Sequence, residues 1–209
     1  MLKRWPEVRT VAAIVLAAGA SHRFGSDKLL CQIELHGKTL PLIAHSLKPW
    51  LRIFREVTVV VQPGSADFCR TVEHALTDDH AAGIRWLECP NAVQGMAASL
   101  VCGIAGNIVA GGWLIGLADM PGVPESAIAQ VRSAIEAGAP LAAPFHQGKR
   151  GHPVGFSPAY RDELLALQGD TGARSLLERD AALVQRIEIE DPGIFIDIDR
   201  PADLQNLHH

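Results

Sequence analysis

Seven residues near the amino end could do chemistry together. Ala17-Ala18-Gly19 is followed by Ser21, Arg23, Gly25 and Lys28. Small residues free backbone N–H groups to approach phosphate oxygens, and Arg and Lys supply charge. The apolar run Val11–Leu16 just before them reads as a buried parallel strand. A loop at the carboxyl end of such a strand is the usual ligand crevice of an open α/β sheet. The spacing is neither that of a Walker A loop nor GxGxxG. From the residues alone, a strand followed by a solvated polar turn also stays open.

The first acidic candidate is Asp119, in Ala118-Asp119-Met120-Pro121 after the apolar run Trp113–Leu117. A carboxylate at a central strand's carboxyl tip faces the same crevice. Mg²⁺ bound with a nucleoside triphosphate takes one or two protein carboxylates, phosphate oxygens and water. A turn or capping aspartate is the other reading. Gln94 and Gly95 precede a helix that includes Ser99, and helix amino ends suit anions; a simple glycine-started helix fits equally. Asp197 is harder to place structurally, because it lies in the alternating apolar run Ile194–Ile198. Asp199, before Pro201, reads as a helix cap.

The elements that must position these residues alternate. Val57–Val61 and Ile84–Glu88 read as strands, with a helix from about 65 to Leu76 between them. A helix starts at Pro124-Glu125 and runs to about Ala137. Short strands follow at Leu141–Pro144 and Pro153–Phe156, then a late one at Leu183–Ile189. Ile33–Leu35 reads as extended and His36-Gly37-Lys38 as a turn, with Thr39 capping a helix to Leu47. Ser157 opens a helix through Leu167, Ser175–Arg179 is helical, and Ala202–Leu207 closes the chain. The alternation predicts an α/β fold, three-layered and Rossmann-like, with a mainly parallel sheet.

The 209 residues read as one domain, 1–209. A net charge of −4 argues against general nucleic-acid binding. No apolar run reaches the roughly 20 residues of a membrane span. Glu7, Arg9 and Thr10 interrupt any signal-type apolar region, so the expected location is cytoplasmic. Cys31, Cys69, Cys89 and Cys102 form no CxxC pair and read as reduced thiols. The nine histidines show no zinc-ligand spacing; His208-His209 are set aside.

The stretch LAAGASHRFGSDKLL resembles the signature LA[AG]GxSxRxGxxK of the MobA/MocA-like NTP transferases, which process molybdenum cofactor. QGMAASLVCG, LADMP, GKRGHPV, GDTGAR and DIDRPADL resemble further segments of that family, so the likeness spans almost the whole chain. The resemblance implies the nucleotide-diphospho-sugar transferase type of fold and an Mg²⁺-dependent nucleotidyl transfer. It implies nucleotide binding by Leu16, Ala17, Ala18, Gly19, Lys28, Gln94, Gly95 and Ser99, with Lys28 and Arg23 stabilising the reacting phosphates. Asp119 and Asp197 would be the metal ligands, Asp197 being preferred over Asp199. His152 and Arg174 would lie on the acceptor side, each with a structural reading beside the binding one. Ala18, where guanylyl-transferring relatives have glycine, resembles the cytidylyltransferase branch. That makes CTP the expected nucleotide and molybdopterin cofactor the acceptor, with a molybdoenzyme as a further partner. GTP, a sugar-phosphate acceptor and a non-catalytic molybdenum cofactor chaperone are the alternatives.

Overall fold

The computed structural model describes residues 10–19, 28–76, 81–169, 172–199 and 203. Arg23, Ser21, Gly25, Asp170 and the closing helix expected at Ala202–Leu207, apart from Asp203, lie outside the described residues. Ten strands and six α-helices are described. In chain order they are β1 Ala12–Leu16, β2 Gln32–Leu35, β3 Lys38–Pro41, α1 Leu42–Ile53, β4 Val57–Val61, α2 Ala66–Ala75, β5 Ile84–Glu88 and α3 Met96–Ala105. Then come β6 Trp113–Leu117, α4 Glu125–Glu136, β7 Leu141–His146, β8 Lys149–Arg150, β9 Val154–Phe156, α5 Arg161–Leu165, α6 Arg174–Arg179 and β10 Val184–Glu188.

The main sheet has the order β10-β7-β9-β6-β1-β4-β5, with β8 pairing to β7. β1 pairs in parallel with β4 and β6, and β4 with β5. β9 runs antiparallel between β6 and β7, and β10 rejoins β7 in parallel. The chain moves outward from β1 through β4 to β5, then returns to the other side of β1 at β6. The carboxyl ends of β1 and β6 therefore flank a topological switch point, where ligands of open α/β sheets bind.

Alternation along the strands divides the core into two. Ala13 and Val15 of β1 join Val57, Val59 and Val61 of β4 in a cluster with α1, α2 and α4. Ile14 of β1 and Val60 of β4 face the other way, toward Leu100 and Ile104 of α3, Leu164 of α5 and Leu176 of α6. Both faces are covered, so these strands are apolar apart from the buried Thr58 rather than alternating with polar residues. Gly116 in β6 has no room for a side chain: a Cβ there would stand 2.2 Å from the Trp50 ring of α1.

Two local expectations are corrected, and the alternating run Ile194–Ile198 is placed. Thr39 does not cap a helix; it pairs with Glu34 in the β2–β3 hairpin, and α1 begins at Leu42 and carries Pro49 inside. His36 and Gly37 both adopt left-handed φ, 54° and 71°, which is the twist a two-residue hairpin needs. Burial of Trp50 and Leu51 holds α1 helical past Pro49. The helix expected from Ser157 is a 3-10 turn, Pro158–Tyr160, followed by the short α5. Ile194–Ile198 is not a strand. Pro192–Phe195 forms a 3-10 turn whose cap, Asp191, accepts from the Gly193 N–H at 2.8 Å.

Candidate active site

Lys28 opens a 3-10 turn, Lys28–Leu30, that is fastened to the start of α1. The Cys31 N–H returns to the Lys28 carbonyl at 3.2 Å, and the Leu42 N–H donates to the Cys31 carbonyl at 2.9 Å. From this turn Lys28 Nζ donates to Asp119 Oδ2 at 2.9 Å and to Asp199 Oδ1 at 3.0 Å. The lysine side chain is 10% exposed, Asp119 24% and Asp199 53%, so Asp199 is the partner best able to turn to solvent. Burial works against the Lys28 charge, but Asp119 and then Asp199 outweigh it and raise its pKa above the usual value.

Asp119 reaches this place because β6 ends beside β1. Leu16 pairs with Leu117, and the Ala118 N–H donates to the Leu16 carbonyl at 3.1 Å. The carboxyl-terminal segment is drawn in by main-chain contacts. The Ile198 N–H donates to the Asp119 carbonyl at 3.0 Å, and the His152 N–H to the Ile194 carbonyl at 3.0 Å. Two glycines permit the crossing: a Cβ on Gly193 would stand 2.0 Å from the Gly122 carbonyl oxygen, and one on Gly151 2.6 Å from that of Ile194.

Asp197 rides on the same segment and is pushed up. Burial is the main cause, with Asp199 and Asp119 adding like charge; its own backbone N–H and Lys28 oppose. Among the described residues, Asp119, Asp197 and Asp199 thus share one ammonium, that of Lys28. Asp119 Oδ1 is buried and has no hydrogen-bond partner among the described residues. A buried carboxylate oxygen without a partner can accept a hard cation, and Asp119 and Asp197 are the residues that would hold the metal the resemblance implies; no cluster of three or more metal-ligating side chains is gathered among the described residues.

The β1 loop is braced from β4. The Ala17 N–H donates to the Val60 carbonyl at 2.9 Å, and Gln62 Nε2 donates to the Ala18 carbonyl at 3.0 Å. Gly19 is exposed, and a Cβ there would meet nothing within 4 Å, so this backbone fronts open space. Sequence reading passed over Gln62, whose contact spans 44 positions. Gln94 and Gly95 lie between the carboxyl end of β5 and α3, at the same edge of the sheet. Gly95 has φ 114°, Gln94 is exposed and Ser99 is buried in the first turn of α3. The Ala97 N–H is already used by the Gly169 carbonyl at 3.1 Å.

His152 and Arg174 are placed differently from each other. The His152 pKa is pushed down to about 4, first by burial and then by Arg150, with Asp119 and the Ile115 backbone opposing. The ring is therefore neutral near pH 7, and its Nδ1 is buried without a partner. Arg174, at the start of α6, is exposed and donates to Glu178 at 2.6 Å. The structure thus brings Lys28, Asp119, Asp197 and Asp199 together, with His152 in electrostatic reach of Asp119. Asp199, expected as a helix cap, instead sends its side chain to Lys28; its N–H is capped by Asp203 at 2.9 Å. Among the described residues, no helix is long and apolar enough to cross a membrane.

A switch-point crevice with a buried lysine, strand-tip carboxylates and a small-residue loop is the architecture of a nucleotidyltransferase. The chain belongs to the MobA-like NTP transferase domain family, whose match covers residues 13–185. Its fold is similar to that of Rv0371c from Mycobacterium tuberculosis H37Rv, at TM-score 0.76 and 24% identity over 95% of this chain and 97% of that one. The Rv0371c homolog from Mycobacterium sp. strain JC1 gives TM-score 0.72 and 27% identity over 94% of each chain. Molybdopterin-guanine dinucleotide biosynthesis protein A from Archaeoglobus fulgidus gives 0.57 and 19%, over 94% of this chain and 96% of that one. No curated protein matches the sequence at a significant level.

Proposed function

We propose that this nucleotidyltransferase transfers CMP from CTP to molybdopterin cofactor and releases pyrophosphate. The observation that carries the reading is the buried Lys28, held between Asp119 and Asp199 where β1 and β6 end, beside the unpartnered Asp119 Oδ1. In this reading the nucleotide lies over Leu16–Gly19, with Lys28 toward its phosphates and Gln94, Gly95 and Ser99 toward its base and ribose; the resemblance assigns Arg23, outside the described residues, to the phosphates as well. Asp119 and Asp197 would hold Mg²⁺, which supplies charge neutralisation on the phosphate oxygens when bound.

An oxygen of the acceptor phosphate forms the new bond to the α-phosphorus. The bond from that phosphorus to the α–β bridging oxygen breaks, and its electron pair leaves with pyrophosphate. A phosphate is already a nucleophile at neutral pH, so the chain's task is positioning and charge stabilisation rather than proton removal. Lys28 does the latter by turning from the half-exposed Asp199 to a phosphate oxygen while keeping Asp119. His152, neutral and buried, orients the acceptor side. Arg174, exposed and paired with Glu178, would bind the acceptor only by leaving that partner.

The experiment is pyrophosphate release by purified protein with Mg²⁺ and molybdopterin cofactor, offering CTP, GTP, ATP and UTP separately. Release with CTP alone supports the reading. Release with GTP alone keeps the reaction and replaces the nucleotide; the fold likeness to a molybdopterin-guanine dinucleotide biosynthesis protein makes this the second reading. Cofactor binding without release from any nucleotide indicates a carrier that delivers cofactor to a molybdoenzyme. Release only with sugar phosphates reassigns the acceptor.

A further inference from the structure

Gln62 follows β4 directly and stands on a fixed base. The Cys89 N–H donates to the carbonyl of Val61, the residue before it, at 2.9 Å, and Ser65 Oγ donates to the carbonyl of Gln62 itself at 2.7 Å. From there the half-buried side chain crosses to the β1 loop, where Nε2 donates to the Ala18 carbonyl at 3.0 Å. A carbonyl only accepts, so this contact also fixes which end of the amide faces Ala18.

The contact decides where the next backbone group points. The Ala18–Gly19 peptide bond is trans, and in a trans peptide the C=O and the N–H lie in one plane and point in opposite directions. With the Ala18 carbonyl turned to Gln62, the Gly19 N–H is turned away from it. Gly19 is exposed, a Cβ there would meet nothing within 4 Å, and among the described residues its N–H has no hydrogen-bond partner. The buried Ala18 side chain packs in the core on the α3 side and anchors the near end of the plane. Without Gln62 the Ala18 carbonyl would be orphaned, and rotation of the peptide toward water would put a carbonyl oxygen where the N–H had been. Glycine at position 19 offers little steric resistance to that rotation. An N–H in that place attracts a phosphate oxygen, and a carbonyl oxygen repels it.

We propose that Gln62 is a positioning residue of the nucleotide site: it holds the Ala18–Gly19 peptide so that the Gly19 N–H donates to a phosphate oxygen of the bound triphosphate. The proposal rests on the transferase reading for the identity of the ligand, but the phosphate contact itself can be read without turnover.

Inorganic triphosphate with Mg²⁺ is the probe, because it carries the phosphates without base, ribose or acceptor. In the wild-type chain, the Gly19 backbone amide signal in a nitrogen–proton NMR correlation spectrum should shift as triphosphate is added. Gln62→Met, similar in length but without a donor, should bind triphosphate about 10- to 100-fold more weakly, the range of one hydrogen bond to a charged group. Its Gly19 amide should no longer respond. In pyrophosphate-release assays the same variant should raise the KM for the nucleotide by a similar factor and leave the KM for the acceptor unchanged. Gln62→Glu, which keeps the shape and loses the donor, should bind triphosphate no better than Gln62→Met. A wild-type Gly19 amide indifferent to triphosphate overturns the proposal, whether or not the variants fold. So does a Gln62→Met chain that binds triphosphate as the wild type does, or one whose KM rises equally for nucleotide and acceptor. Triphosphate binding that depends on Gln62, without pyrophosphate release from any nucleotide, would retire the transferase reading and leave the phosphate contact standing. Release by the wild type with Gln62→Met unimpaired would do the reverse.

Discussion

Replacing His152 with Gln should change how stability depends on pH. The ordinary imidazole value is 6.5 and the folded one is about 4. Burial is the first cause and the Arg150 charge the second. The gap is roughly 2.5 units, and at about 1.36 kcal/mol per unit it amounts to about 3 kcal/mol. The sign follows from proton counting. Below about pH 6.5 the unfolded chain binds a proton on His152 that the folded chain refuses until about pH 4, so acid favours unfolding. The stability linked to this group is fully present above 6.5 and drains away as pH falls toward 4. Urea unfolding of both proteins, in chelator, from about pH 7.5 to about pH 4 measures it directly. The loss of ring packing in the variant shifts its curve by a constant amount, and the other titrating groups are common to both proteins. The wild type should therefore lose about 3 kcal/mol more than His152→Gln across that range. Parallel curves would refute the reasoning, because they would mean that the ring titrates alike in the folded and unfolded chains.

Lys28→Met should lower turnover by about 100- to 1000-fold, the cost of losing one charge-stabilising donor at a reacting phosphate. Its thermal unfolding should shift only modestly, because half-exposed Asp199 can return to water; initial-rate and melting measurements on one preparation separate the two effects. Gly193→Ala should cost about 1–3 kcal/mol, or a melting point lower by about 2–12 °C, since its Cβ would stand 2.0 Å from the Gly122 carbonyl oxygen. Asp197 and Asp199 ride on that segment, so the same variant should need more Mg²⁺ for half-maximal rate, read from a metal titration.

Much of the framework was readable because it is local. Val57–Val61 and Trp113–Leu117 stand where their apolar runs put them, and the edge strand Ile84–Glu88 stands where it was read despite Arg85 and Glu88. A continuous apolar run bounded by turn residues admits few other structures when both faces of a sheet are covered. The strand-end positions of Ala17–Gly19 and Asp119 were readable for the same reason. What was not readable is long-range or decided by competition. Thr39 went to a strand because left-handed His36 and Gly37 close a hairpin, and hairpin pairing is a tertiary choice. The Ile194–Ile198 alternation imitates a strand. Pro192 and the Asp191 cap fold its start into a turn instead, and its hydrogen bonds go to His152 and Asp119 rather than to a sheet edge. The Lys28–Asp199 contact spans 171 positions, and a cap before Pro201 was the simpler local account of that aspartate.

The uncharged state of His152 and the open state of Asp119 are physically linked. A protonated ring within reach of Asp119 would be its natural counter-ion, and a charged hydrogen bond there would close Oδ1. Burial, with Arg150 adding to it, holds the ring neutral, and among the described residues His152 Nδ1 and Asp119 Oδ1 are both buried without a partner. Two orphaned polar atoms among mutually interacting groups cost stability unless a ligand satisfies them. The same arrangement keeps positive charge on β8 and negative charge on β6 and the carboxyl-terminal segment, with a neutral ring in reach of both. On the proposed transferase reading, that division would keep an anionic acceptor apart from the carboxylates that would hold the metal. On that reading a neutral His152 separates the two charges whether it touches the acceptor or braces the loop.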